Sequence, residues 1–262
     1  MRGMFVREKI GLITGGATGI GRRTAFQLAE KGIHLVINYR KSRHEAEALA
    51  NELTSKFYTE NIIIEGDITN SDDCERIVSE ALLAFSGIDI LIHNAGPYVH
   101  GRKTMADYSI EEWNYLINGN LNAVFYLSRL IIPQMRKNKW GRIITVGFDR
   151  VENAPGWIYR SAFAAAKSGV ASLTRTIALE EAANGITANM VCPGDITVEW
   201  KEQDISEAAK QRDKNSPVGR PGTGEDVARV ISFLIEDKSD FISGSVIPIT
   251  GTKDVLGKIF RD

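Results

Sequence analysis

The sequence has few cysteines and no excess of charge of either sign. Its 262 residues include two cysteines, Cys74 and Cys192, which are too few and too far apart for a disulfide framework. This usage is typical of a reduced cytosolic compartment, and we expect both thiols to be buried. The formal net charge is −1, so composition provides no strong attraction for nucleic acid or for an acidic membrane surface.

Long hydrophobic runs are also missing. No apolar stretch approaches the roughly 20 residues that a membrane-spanning helix needs. The first residues do not resemble a signal peptide, because Arg2, Arg7, Glu8 and Lys9 interrupt them. With no internal repeat and no linker composition, we expect one cytoplasmic domain over residues 1–262.

Two common kinds of site have no counterpart in the sequence. No spacing of cysteine, histidine and aspartate indicates a metal site. No Gly-x-Ser-x-Gly elbow indicates a hydrolase of the α/β type. His93 precedes Asn94 and is interpreted as a packing residue.

What the sequence does contain is a regular alternation of strand and helix patterns. Continuous apolar strands separated by helices predict a mostly parallel, doubly wound sheet of Rossmann type, with seven strands and helices on both faces. The predicted strands are Ile10–Thr14, Ile33–Tyr39, Ile62–Ile64, Ile88–His93, Arg142–Val146, Thr187–Val191 and Val246–Ile249.

The helices are predicted between these strands. Their ranges are Ile20–Lys31, Arg43–Phe57, Asp72–Phe85, Glu111–Arg136, Ile158–Asn184 and Glu225–Ile235. Ser71 is the predicted N-cap of the third helix, and Pro133 is predicted to kink or stop the fourth.

A glycine-rich loop follows the first strand. Thr14, Gly15, Gly19, Ile20 and Gly21 stand between that strand and the next helix. Glycines allow a tight turn and a close approach of the backbone, and a helix N-terminus attracts phosphate. This context predicts a dinucleotide site.

The end of the second strand indicates which dinucleotide binds. An acidic residue there favours NAD(H), because it bonds the ribose 2′-hydroxyl. This chain has Tyr39 and Arg40 instead, with Lys41 and Arg43 close behind. We therefore predict NADP(H) as the cofactor and NAD(H) as the less favoured alternative.

Taken together, the motifs resemble those of the classical short-chain dehydrogenase/reductase family, over nearly the whole chain. The nearest type is the 3-oxoacyl-carrier-protein reductase. Besides the glycine loop, the resemblance implies cofactor contacts at Asp67, Ile68, Asn94, Ala95, Gly96, Lys167, Pro193 and Gly194. It also implies a small-molecule substrate or an acyl-carrier thioester, and a homodimer or homotetramer.

The same resemblance implies a catalytic set of asparagine, serine, tyrosine and lysine. Asn120 and Lys167 match two of these residues. Phe163 stands four residues before Lys167, in the tyrosine position, and Phe148 stands in the serine position. The usual proton donor is therefore absent, and a positioned acid typically contributes a factor of about 10²–10⁴ in rate.

Other groups are candidates for the missing donor. Tyr159 lies one turn before Phe163 if the helix is unbroken, and Tyr98, Asp149 and Ser161 are further candidates. Asn120 and Lys167 could instead hold a water. Three functions remain open: an NADP(H)-dependent oxidoreductase with an altered proton relay, a cofactor-binding sensor or regulatory subunit, and an inactive partner in a hetero-oligomer.

Overall fold

A computed structural model describes residues 8–253, 255 and 256. Seven parallel strands form one sheet in the order β3-β2-β1-β4-β5-β6-β7. They are β1 (Ile10–Ile13), β2 (His34–Tyr39), β3 (Asn61–Glu65), β4 (Ile90–His93), β5 (Gly141–Val146), β6 (Ile186–Pro193) and β7 (Val246–Ile249). The predicted fold class is confirmed.

Helices connect the strands. They are α1 (Gly19–Ala29), α2 (Arg43–Phe57), α3 (Ser71–Phe85), α4 (Ile110–Ile117), α5 (Ala123–Asn138), α6 (Ser161–Glu181), α7 (Ile205–Ala208) and α8 (Gly224–Leu234). Short 3-10 turns cover Met105–Asp107, Val151–Asn153, Ala182–Asn184, Val198–Trp200 and Asp237–Ser239. Within the described ranges, no helix is both long and apolar enough to cross a membrane.

Each face of the sheet has its own core. On one face Leu28 of α1, Leu53 of α2 and Ile231 of α8 are fully buried in one cluster. On the other face Ile77 of α3 and Leu127 of α5 belong to a second cluster, and each such side chain contributes about 1.5–3 kcal/mol on burial. Both faces of the parallel strands are therefore covered, which explains their uninterrupted apolar sequences.

The structure corrects the predicted N-cap of α3 and one of the two effects predicted for Pro133, the stop. Asn70, not Ser71, caps α3, since its Oδ1 accepts hydrogen bonds from the N–H groups of Asp72 (2.8 Å) and Asp73 (3.4 Å). Pro133 does not stop its helix, because α5 continues through it to Asn138. A π-helical turn at Asn118–Asn122 joins α4 to α5 and was not predicted.

The start of α6 differs from the prediction in a way that concerns the site. The helix begins at Ser161, and Tyr159 before it has a left-handed backbone with φ of 62°. Tyr159 is therefore not on a helical stripe with Phe163 and Lys167. The predicted alignment of these three side chains is wrong.

Candidate active site

The candidate site lies where the strand order reverses. The chain places β2 and β3 on one side of β1 and then crosses to β4 on the other side. In such a sheet the carboxyl ends of the two central strands border a crevice that accepts ligands. The loops after β1, β2, β3, β4, β5 and β6 meet at this edge and carry part of the predicted site. Gly19, Ile20 and Gly21 lie on α1, Asn120 lies in the π-helical turn, and Phe163 and Lys167 lie on α6.

The glycine loop has the conformation that its sequence predicts. Gly15 and Gly19 have φ of +58° and +59°, in the left-handed region that favours glycine. Asn94 stabilises this conformation of the loop, because its Nδ2 donates hydrogen bonds to the carbonyl oxygens of Thr14 (3.1 Å) and Gly15 (3.0 Å). The Thr14 hydroxyl accepts from the N–H of Ala95 at 3.0 Å. The loop after β4 thus holds the loop after β1.

The N-terminus of α1 carries a contact that was not predicted. The N–H of Gly19 donates to Oε1 of Glu202 at 2.6 Å. Thr18, the residue in the N-cap position, makes no side-chain cap hydrogen bond. A carboxylate from a segment 183 residues away therefore covers this helix terminus, where the sequence predicts phosphate.

A cavity adjoins the glycine loop at the ends of β2 and β3. The predicted residues Gly15, Arg40, Asp67, Ile68, Ala95 and Gly96 line it together with Asn38, Gly66, Thr69, Pro97 and Tyr115. Tyr115 comes from α4 and was not predicted. Its hydroxyl accepts from Arg40 Nη1 at 2.5 Å, which fixes the guanidinium at the cavity wall.

The charges in this cavity are paired. Arg40 Nη1 also lies 3.3 Å from Oδ2 of Asp67. Burial alone would raise the pKa of Asp67, but the N–H of Thr69 and the Arg40 guanidinium outweigh it and hold that pKa below its usual value. Tyr39 does not line the cavity: it is buried, and its hydroxyl points to Glu65 at 3.5 Å.

Asn120 lies in the π-helical turn and faces the site with one unpaired atom. Its Nδ2 donates to the carbonyl oxygens of Pro97 (2.9 Å) and Leu116 (3.0 Å). Its buried Oδ1 accepts from no described residue. A buried carbonyl without a partner costs free energy, so it indicates a place for a ligand or a water.

Lys167 meets Asn120 beside Gly96. A methyl group at position 96 would collide with Asn120 Oδ1 and would lie 3.5 Å from Lys167 Nζ, so glycine permits the close approach. Lys167 is 5% exposed, and burial lowers its pKa to about 8. Burial, with a contribution from the Lys167 charge, also lowers the pKa of His93 to about 3. His93 is therefore neutral near pH 7 and bonds Ser128, as expected for a packing residue.

Phe148 and Phe163, which the resemblance puts in the serine and tyrosine positions, pack with Trp157 and Tyr98 beside Lys167. The ring centroid of Phe148 lies 5.0 Å from that of Trp157 and 6.2 Å from that of Phe163. Tyr98 packs edge-on against Phe163 at 5.0 Å. Lys167 Nζ lies 5.7 Å from the Phe163 ring centre. We call Tyr98, Phe148, Trp157 and Phe163 the aromatic cluster; Tyr98 is its only phenol.

The other candidate donors differ in their surroundings. The Tyr98 hydroxyl is 2.9 Å from Arg160 Nε, which donates to it. The backbone carbonyl of Tyr159 accepts from the Tyr108 hydroxyl at 3.4 Å. Asp149 is nearly buried and lies 3.5 Å from Arg150, while the buried Ser161 hydroxyl has no partner among the described residues.

Pro193 and Gly194 lie at the end of β6, on the opposite side of the crevice from the Arg40 cavity. The N–H of Gly194 donates to the carbonyl of Ile249 at 2.9 Å, which ties this turn to β7. Beyond it Lys253 Nζ lies 3.3 Å from Asp195 and 3.6 Å from Asp213. These ion pairs fasten the segment after β7 to the loop that follows β6.

Comparisons with known proteins find oxidoreductases and carrier-protein reductases. A family model described as enoyl-(acyl carrier protein) reductase matches residues 15–251. A Bacillus subtilis (strain 168) protein, YtkK, named as an inferred oxidoreductase, is 50% identical over 94% of this chain and 97% of its own length. The 3-oxoacyl-[acyl-carrier-protein] reductase FabG of Staphylococcus epidermidis is 32% identical over 93% of this chain and 98% of its own.

A solved structure is also similar. It is a Bacillus thuringiensis chain described as an inferred 3-oxoacyl-reductase, 48% identical in sequence. The two superpose with a TM-score of 0.88, covering 95% of this chain and 99% of the other.

Proposed function

Because the chain belongs to the short-chain dehydrogenase/reductase family, we propose that it is an NADP(H)-dependent oxidoreductase that reduces carbonyl groups. The proposed chemistry resembles that of 3-oxoacyl-carrier-protein reductases but uses an altered proton relay. The observation that carries this proposal is that the unpaired Asn120 Oδ1 and Lys167 Nζ both lie next to Gly96, beside the glycine loop.

The residues present fit a nicotinamide dinucleotide. Gly15 and Gly19 give the turn that lets phosphates approach the backbone, and the cavity beside Arg40 has room for an adenosine. When bound, the cofactor supplies the hydride. Lys167 would hold the ribose next to the nicotinamide, and Pro193 and Gly194 would border the ring.

The preference for NADP(H) rests on Arg40. Both of its hydrogen bonds to Asp67 and Tyr115 come from Nη1. A guanidinium has five N–H donors, so Nη2 and Nε remain to bind a 2′-phosphate. No acid stands at the end of β2 to repel that phosphate.

We propose that a water held by Asn120 Oδ1 and Lys167 Nζ replaces the missing phenol as proton donor. The unpaired buried Oδ1 accepts one hydrogen from that water, and the ammonium donates to it. The water passes its other proton to the developing substrate oxyanion and takes one from the Lys167 ammonium, which becomes a neutral amine. Tyr98 is the alternative donor. A Tyr98→Phe variant should keep its reductase activity if the water donates the proton and lose it if Tyr98 does.

A second candidate is a cofactor-binding protein with little turnover: a redox sensor, a regulatory subunit or a hetero-oligomer partner. The aromatic cluster favours it, because Phe148, Trp157 and Phe163 contact one another where a substrate carbonyl would meet hydroxyls. This candidate predicts tight NADPH binding without NADPH oxidation.

The test is a calorimetric titration with NADPH and NADH, followed by NADPH oxidation with 3-oxoacyl thioesters, diketones and quinones. Quinones matter because hydride transfer to them leaves an aryloxide, whose conjugate acid has a pKa near 10, as a phenol does. An alkoxide is closer in basicity to hydroxide, with a conjugate-acid pKa of about 16. Turnover of quinones alone supports a site without a positioned acid, and no turnover of any class overturns the enzymatic proposal.

We further propose a cytoplasmic homodimer or homotetramer built on α5 and α6. Phe125 on α5 is half-exposed, next to Tyr126 and Leu130. Both cysteines are free and buried, in keeping with a reducing compartment. Light scattering at micromolar concentration tests the assembly, and a monomer would contradict it.

A further inference from the structure

The most unusual contact in the site is the carboxylate of Glu202 on the N-terminus of α1. The Gly19 N–H donates to Glu202 Oε1 at 2.6 Å, and Arg22 Nε lies 3.5 Å from Oε2. An anion at this terminus is favoured by the free N–H groups and by the helix dipole. The same two features make the terminus the place for a dinucleotide pyrophosphate.

We propose that Glu202 is an internal competitor for the cofactor phosphates, so that it sets the affinity of the site. In the free protein its carboxylate takes the hydrogen bond that a phosphate oxygen needs. Cofactor binding must therefore displace the side chain. This inference rests on the proposed binding of NADP(H), but not on any catalytic step.

The segment that carries Glu202 is held against the glycine loop by other contacts. Asp204 is ion-paired with Arg23 of α1. The next residue, Ile205, donates its N–H to Glu225 Oε2 at 2.6 Å. The backbone is thus fastened on both α1 and α8, so the Glu202 side chain can leave without unfolding the segment.

Arg22 lies beside the helix terminus and can contact the anion there in both states, with Glu202 in the free protein and with a phosphate after cofactor binding. Its guanidinium contacts Glu52 at 2.8 Å as well as Glu202 at 3.5 Å. When the Glu202 carboxylate leaves, Arg22 loses one of two anionic partners next to the helix terminus. A phosphate arriving there restores that partner, which makes the exchange between carboxylate and phosphate close to balanced in charge.

The experiment compares Glu202→Gln with Glu199→Gln by calorimetric titration. Glu199 is exposed on the same segment and provides the same change of net charge away from the helix terminus. Because Glu202 is an exposed anion on one helix terminus, we expect its neutralisation to lower the NADPH dissociation constant about three- to tenfold. Glu199→Gln should change it less than about twofold.

Adenosine 2′-monophosphate is the second probe. It carries the adenosine and 2′-phosphate groups but has no pyrophosphate, so Glu202→Gln should leave its affinity unchanged. Glu202→Ala, which also removes the acceptor oxygen, should tighten NADPH at least as much as Glu202→Gln. If both Glu202 variants bind NADPH more tightly but bind adenosine 2′-monophosphate as wild type does, Glu202 competes with the cofactor phosphates as proposed.

Other outcomes overturn the inference in distinguishable ways. If wild type binds NADPH and the Glu202 variants bind it equally well, Glu202 is not a competitor and the proposed function stands. If the Glu202 variants bind adenosine 2′-monophosphate more tightly to the same degree, or if Glu199→Gln tightens NADPH binding equally, the cause is a general charge effect. Either result also overturns the competitor inference. If no variant binds NADPH or NADH, the cofactor proposal itself fails.

Discussion

Adding a phenol at Phe163 is the most direct test of the proposed altered proton relay. Phe163→Tyr adds one hydroxyl to a half-buried ring whose centre lies 5.7 Å from Lys167 Nζ. The ammonium would lower the pKa of the new phenol, because an opposite charge favours the ionised form. Phe163→Tyr therefore puts an acid beside Lys167, at the position that the sequence predicts for the family's tyrosine.

The expected gain follows from the usual effect of a positioned acid. General acid catalysis contributes a factor of about 10²–10⁴ in rate, or about 3–5 kcal/mol of barrier. We expect Phe163→Tyr to raise kcat/KM for 3-oxoacyl thioesters by about 10²-fold, at the lower end, since the serine position is still Phe148.

Adding Phe148→Ser supplies the second hydroxyl but has a cost in stability. Phe148 is 4% exposed and packs on Trp157 and Phe163. Removing a buried phenylalanine ring costs about 3–5 kcal/mol, a large share of the about 5–15 kcal/mol that holds a typical domain folded. The single Phe163→Tyr variant should therefore be measured first, and the double variant at low temperature with its thermal midpoint recorded.

The assay is the loss of NADPH absorbance with 3-oxoacyl thioesters and with quinones. Phe163→Leu is the control, because it replaces the phenylalanine ring with another apolar side chain and adds no hydroxyl. Lys167→Met in the Phe163→Tyr background should abolish the gain if the new phenol depends on the ammonium. A fast wild-type enzyme that Phe163→Tyr slows would refute the reasoning and indicate an efficient native donor.

Three further predictions concern binding and pH. In titration calorimetry, Arg40→Ala should weaken the binding of NADPH by about tenfold or more and the binding of NADH by less than about twofold, since only NADPH has a 2′-phosphate. Because the free Lys167 ammonium, with a pKa of about 8, loses its proton as pH rises, NADPH affinity should fall above pH 8, and Lys167→Met should flatten that profile. The pKa of His93 is about 3 when folded and near 6.5 when unfolded, so the free energy of unfolding should decline as pH falls below 6.5, by at most about 1.4 kcal/mol per unit. His93→Asn should remove the part of that slope that lies between pH 6.5 and about 5, above the range where carboxylates titrate. An unchanged slope in that range would contradict the assignment.

Local patterns in the sequence were enough to predict the fold and much of the site. The bounds of α2 and β7 agree with the predicted ranges. The glycine loop and the loop after β4 could be placed together because parallel strands bring their carboxyl ends to one edge. The sequence also predicts that Phe148 and Phe163 take the places of two hydroxyl-bearing residues.

Backbone departures from regular helix could not be predicted in the same way. The π-helical turn that aims Asn120 at Gly96 has no strong residue signal. The left-handed backbone of Tyr159 is likewise decided by the loop around it, and it removes the helical stripe expected for that residue. In both places tertiary packing overrides local preference.

Contacts between distant loops were decided only by the tertiary structure. Tyr115 meets Arg40 from a helix 75 residues later, and Glu202 reaches Gly19 across 183 residues. The sequence by itself determined which groups the chain carries and the edge of the sheet where most of them gather. Which side chains then meet depends on the paths of separate crossovers over that edge, and those paths follow from packing that no local period encodes.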